Sequence, residues 1–141
     1  MIEKDRIIIG LTGPFGSGCS KIVALILRDK RNFSIYSVAD ILKKVAIDKD
    51  PSFETKRKKE KRKILQDIGN KMRKKDIEEG NKGGVLIRKI MEFDQKAKNK
   101  KNIVIYSIKN PCEIAELKIY PNAYIMAIDA SSNTIDKPAF S

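Results

Sequence analysis

Short apolar runs alternate along this chain with stretches that show helical spacing. Ile7, Ile8, Ile9 and Leu11, bounded by Arg6 and Gly13, form the continuous apolar run of a strand buried on both faces. Ser20 to about Lys30 carries Ile22, Val23, Leu25, Ile26 and Leu27, which suits a well-buried helix. Phe33 to Val38 predicts a second strand, and Asp40 to Ile47 a helix presenting Ile41, Leu42 and Val45 on one side. Asp48 to Phe53, with its Asp-Pro step, predicts a loop.

From Glu54 to about Asp76 the composition favours helix, with Ile64, Leu65, Ile68 and Met72 on one stripe. The first two turns of that helix have no apolar face, so they project into solvent or toward an anionic ligand. Gly80, Gly83 and Gly84 break the chain, and Leu86, Ile90, Phe93 and Ala97 mark the next helix. Ile103, Val104, Ile105, Tyr106 and Ile108 predict a third strand. Asn110-Pro111-Cys112-Glu113 then starts a helix with an Asn cap, a proline first and a carboxylate third. Ala123 to Ile128 predicts a fourth strand, and the tail SSNTIDKPAFS reads as irregular. Strands alternating with helices imply crossover units, hence an α/β fold with a parallel sheet covered by helices on both faces.

The 141 residues suffice for one domain burying roughly two thirds of its unfolded surface, with no metal or disulfide staple needed. Hydrophobic residues are 41% and charged residues 34%, a globular balance. No apolar run approaches the ~20 residues of a membrane span. The start also lacks a signal-peptide pattern, so the expected location is the cytoplasm, with no membrane partner. The chain has no histidine, which removes His-based triads, Cys-His nucleophiles and His-ligated zinc. Its net charge of +12 predicts attraction to polyanions, whether nucleotides or nucleic acid.

Between the first strand and the first helix stands GPFGSGCS: Gly13, Pro14, Phe15, Gly16, Ser17, Gly18, Cys19 and Ser20. This is the frame G-x-x-x-x-G-K-[ST] with Cys19 at the lysine position. Backbone N–H groups of such a loop cradle phosphates, the following helix adds its positive end, and the Ser20 hydroxyl is placed to reach Mg²⁺. Competing patterns fail. Phe15 and Cys19 flank Ser17, so there is no nucleophile elbow, and Lys21 stands where a dinucleotide fingerprint needs its third glycine. No arginine follows Cys19 at the spacing of a cysteine-phosphatase loop. Losing the lysine removes a charge-assisted bond of roughly 1.5–3 kcal/mol, and the lost transition-state donor costs on the order of 10²- to 10³-fold in rate. Phosphate binding therefore survives a change that weakens transfer. Lys21 is a possible substitute, although it points about 100° away around the helix. Cys19 itself reads as a small residue that fits the loop, with a redox or covalent role as the alternative.

GLTGPFGSGCS, SVADILKKVA, RKILQDIGNKMRKK and IVIYSIKNPCEIAELKIYPNAYIMAIDAS resemble, in order and spacing, the P-loop nucleotide kinase-like group. That group includes dephospho-CoA kinases and nucleoside monophosphate kinase-like proteins. The similarity is closest to kinase-like N-terminal domains joined to dCMP deaminase-type domains. It covers most of residues 6 to 131 and implies a three-layer P-loop NTPase fold over residues 1–141, as a single domain or the N-terminal piece of a larger protein. By resemblance, Asp40 ends the second strand facing an acceptor nucleotide, Arg73 faces the same cleft, and Mg²⁺ accompanies the bound ATP or deoxynucleotide triphosphate. The group's V-I-D-G-I-R-N-P segment is VIYSIKNP here, so Tyr106, Ser107 and Lys109 replace Asp, Gly and Arg, and no arginine follows Arg88. The resemblance thus implies a degenerate domain that binds nucleotide and transfers phosphoryl groups weakly or not at all. The alternative is an active kinase using Lys21 or Lys109. A deaminase needs H-x-E and P-C-x-x-C, which this sequence lacks, so that chemistry would belong to a fused or partner domain.

KRKKEKRK at 56–63 and KMRKK at 71–75 leave three readings open: a solvated face, a basic flap over a nucleotide cleft, or a nucleic-acid-binding or regulatory module. No aromatic stacking platform accompanies these runs. Asp129 is expected either near magnesium or capping the turn at Ser131. Glu113 and Glu116 are expected to serve their own helix.

Overall fold

The apolar runs become four strands, β1 (Ile8–Thr12), β2 (Ser34–Ser37), β3 (Ile103–Ile108) and β4 (Ala123–Ala127), in one all-parallel sheet ordered β2-β3-β1-β4. The structure is a computed structural model that describes residues 6–12, 19–98 and 101–128, without the side chains of residues 19 and 20. The helices are α1 (Cys19–Arg31), α2 (Val38–Lys49), α3 (Lys58–Glu78), α4 (Val85–Lys96) and α5 (Pro111–Leu117).

From β1 the chain crosses β3 to reach β2, and the two later crossovers run the other way along the sheet. Right-handed crossovers in opposite directions must use opposite faces. The helices are arranged accordingly. Val23, Ala24 and Leu27 of α1 pack with Leu11, Phe33 and Val104 on one face. Val38 and Leu42 of α2, Leu86, Ile87, Ile90 and Met91 of α4, and Leu117 of α5 pack with Ile8, Ile103, Ile105 and Ile108 on the other. Ile64 lies half-buried, and Leu65, Ile68 and Met72 of α3 lean on that second core. Each fully buried Ile or Leu here contributes about 1.5–3 kcal/mol relative to exposure.

Two local expectations are revised, and a third is extended. The Asp48–Phe53 loop gives way to a 3₁₀ turn over Pro51–Thr55: Asp50 accepts from the Ser52 amide, Pro51 opens the turn, and Phe53 is buried. Helix α4 buries Leu86, Ile87, Ile90, Met91 and Asp94, whereas Phe93 is 52% exposed and Ala97 is its C-cap. The buried arc is wide because α4 packs against α2, α3 and α5 as well as into the second core, with Asp94 held inside. Glu113, in the first turn of α5, and Glu116 are in addition buried partners of distant arginines.

Three charged clusters tie elements together. Arg6 donates to Asp94 at 2.8 Å and to the Lys101 carbonyl, and the Tyr36 hydroxyl donates to Asp94 at 2.7 Å. Asp76 accepts from the Gly83 amide at 2.8 Å and from Asn81 and Arg88, and Arg88 also pairs with Glu116 at 3.1 Å. Arg73 binds Glu113 through two bonds, at 2.8 and 3.0 Å. The glycines between α3 and α4 serve the second cluster. Gly83 has φ +87, and a Cβ on Gly84 would lie 2.4 Å from Glu116 Cβ.

Candidate functional site

β1 and β3 are neighbours whose outgoing crossovers leave in opposite directions, so a crevice opens at their carboxyl ends. Thr12, the last residue of β1, pairs with Ile108, so the chain leaves β1 toward Gly13 beside the segment that carries Ser107, Lys109 and Asn110. On the β2 and β3 side lies a cleft of about 560 Å³, within the usual range for small-molecule sites.

Its floor is apolar, formed by Val38, Ala39 and Leu42 of α2 and Leu65 of α3. Helix α3 supplies one wall as a single stripe: Lys58, Lys61, Arg62, Leu65, Gln66, Asn70 and Arg73, at near-helical spacing. Two further cations, Lys43 and Lys109, line the space, and among the described residues its sole acid is Glu113. Six basic side chains thus face one carboxylate, which Arg73 already occupies through its Nε and Nη2. Phe53 of the 3₁₀ turn is buried, and Lys61 Nζ lies 5.7 Å from its ring centroid.

The other wall depends on an irregularity in β3. Gly10 aligns with Ile105 but Thr12 with Ile108, so β3 carries one extra residue. Ser107 takes up the difference at φ +56, a left-handed conformation that favours glycine. Its hydroxyl lies 2.6 Å from the Ser37 hydroxyl and joins the ends of β2 and β3. This bulge turns Lys109 into the cleft. Asn110, which also lines it, caps α5 by accepting from the Cys112 amide at 2.9 Å.

The structure brings Arg73 and Lys109 into the same cleft. Asp40 is not at the end of β2, as the resemblance implies. It lies exposed in the first turn of α2, outside the cleft lining, and its charge acts on Tyr106. Burial and that carboxylate push the Tyr106 phenol up, while a bond with Ser37 opposes them. Lys21 is exposed on α1 and outside the cleft. Gly13, Pro14, Phe15, Gly16, Ser17 and Gly18, the side chains at 19 and 20, and Asp129 lie outside the described residues. Lys43, Lys58, Lys61, Gln66 and Asn70 were not singled out as cleft residues by the sequence. The acid-poor run at 56–63 hints at Lys58 and Lys61 alone; Lys43, Gln66 and Asn70 lie outside it.

Burial pushes the Lys109 ammonium below the ordinary lysine value of 10.5, and the Arg62 charge pushes it further. The folded state therefore holds fewer protons than the unfolded one between the lowered and ordinary values, and this group's contribution to stability rises with pH across that window. An anion in the cleft reverses the preference. Any affinity of the cleft for an anion is expected to fall as alkaline pH approaches the lowered Lys109 value. Lys109→Arg should hold affinity flat over the same range, and titrations from neutral to about pH 10 read the difference.

No known protein family, curated protein or solved structure matches this chain.

Proposed function

We propose that this chain binds a nucleotide, ATP or a deoxynucleotide triphosphate, as a degenerate P-loop kinase-like domain with weak or no phosphoryl transfer. The observation that carries this reading is the cleft at the carboxyl ends of β2 and β3, where six cations and one already-paired acid surround an apolar floor. Such a surface suits a ligand with a phosphorylated end and a flat, less polar end. The glycine loop that follows β1 in sequence would take the triphosphate on its backbone N–H groups and the positive end of α1.

The residues at which transfer would be supported are altered: Cys19 in place of lysine, Tyr106 in place of aspartate, Lys109 in place of arginine. Lysine is a single point charge where arginine grips two oxygens, so Lys109 supports binding better than transition-state alignment. Magnesium would arrive with the triphosphate, approached by the Ser20 hydroxyl. Among the described residues no cluster of three carboxylates or thiols could hold a metal by itself, and a phosphate-bound magnesium does not need one. A fused or partner deaminase domain would fit the same nucleotide chemistry.

A second reading is an active kinase in which a lysine stands in for the missing cation. The cleft position of Lys109 favours it over Lys21 in that role. Thermal unfolding with ATP, dATP, dCTP and dTTP plus magnesium tests binding, since a ligand at 100 times its Kd stabilises by about 2.7 kcal/mol. No rise in Tm with any of the four contradicts the proposal. A coupled ADP-release assay with nucleoside monophosphates and dephospho-CoA separates the two readings: a flat trace supports binding alone, and turnover abolished by Lys109→Ala supports the kinase.

A further inference from the structure

Residues 56–75 contain eleven basic and two acidic side chains, a net +9 out of the chain's +12. The cleft accounts for only one side of that run. Lys58, Lys61, Arg62 and Arg73 face the cleft, but Lys59, Lys63 and Lys74 do not line it. These three are exposed, and among the described residues they form no ion pair, with Asp67 or with any other acid. At 100° per residue they fall within about 60° of one another on α3, a stripe that adjoins the cleft wall at Gln66 and Asn70. From Lys59 to Lys74 the stripe is about 22 Å long.

From this arrangement we infer that the outward face of α3 binds the phosphate backbone of a nucleic-acid duplex. Three lysines on one face are strongly hydrated point charges suited to phosphate oxygens. Helix α3 contains no aromatic residue, so no stacking platform is present for unpaired bases, and a duplex is favoured over a single strand. The side chains involved differ from those of the nucleotide cleft, so the two proposals fail or stand separately.

The test is fluorescence anisotropy of the full chain with labelled double-stranded RNA and double-stranded DNA of mixed sequence, between about 50 and 200 mM salt. Neutralising three phosphates gives a log–log salt slope of about −2.7, a weakening of about 40-fold over that range. The variant Lys59→Gln/Lys63→Gln/Lys74→Gln, which keeps helix propensity and leaves the cleft cations in place, should lose most of that slope. Lys109→Met, altered only in the cleft, should retain it. Comparison of the two arms identifies which duplex is preferred. An unchanged slope in the glutamine variant overturns the inference. So does binding that ignores salt, the absence of binding to either duplex at low salt, or binding to vesicles of anionic lipid with none to the duplexes.

Discussion

Asp94→Ala is expected to lower the unfolding free energy by about 3–5 kcal/mol, the cost of leaving a buried charge without its partner. Asp94 is fully buried, and Arg6, whose guanidinium it holds at 2.8 Å, is 6% exposed. The alanine variant leaves that guanidinium the Lys101 carbonyl and takes away an acceptor of the Tyr36 hydroxyl. The loss would be a large part of the 5–15 kcal/mol that a domain of this kind has. Urea denaturation reads it as a lowered midpoint at unchanged slope. A change under about 1 kcal/mol would mean that burial of Arg6 does not depend on Asp94.

Arg73→Met should cost a similar amount, about 3–5 kcal/mol, because Glu113 is fully buried and loses both of its bonds from Arg73. The double variant Arg73→Met/Glu113→Leu is expected to regain most of that loss, since apolar replacement of a buried ion pair is often neutral or stabilising. A double-mutant cycle in denaturant measures the coupling; additive losses would contradict it. The pair also fixes α3 against α5 and so fixes one wall of the cleft. The single variant is therefore expected to weaken the proposed nucleotide binding as well as stability.

The strands and helices were legible because their signals are local. The apolar run without alternation at Ile7–Leu11 predicted a buried strand, and the sheet is parallel with helices on both sides, although Tyr124 and Met126 of β4 stay exposed. The cap logic that placed α5 at Asn110-Pro111 applies equally to Asp50-Pro51, where it went unused and where the 3₁₀ turn forms. The long-range ion pairs were not legible. Asp76, Asp94, Glu113 and Glu116 sit in a chain with 34% charged residues, and nothing in their neighbours marks them as buried. Their partners lie up to 88 positions away, so only the folded topology selects them. The cleft was half legible: the run 56–63 announced a basic helix, but which of its lysines face inward depends on how α3 leans on α2. Ser107 shows the same division. The resemblance marked it as a glycine position, and the bulge in β3 supplies the physical reason, a left-handed residue.

Isothermal titration of ATP, dATP, dCTP and dTTP with magnesium, at low salt, into the wild-type chain and into Lys61→Glu/Arg62→Glu tests the central claim most directly. Saturable one-site binding of at least one nucleotide is predicted. Reversing the two cleft charges should weaken it on the order of 10²-fold, since each charge-assisted hydrogen bond contributes roughly 1.5–3 kcal/mol. No heat at millimolar nucleotide, or equal affinity in the charge-reversed variant, would contradict it.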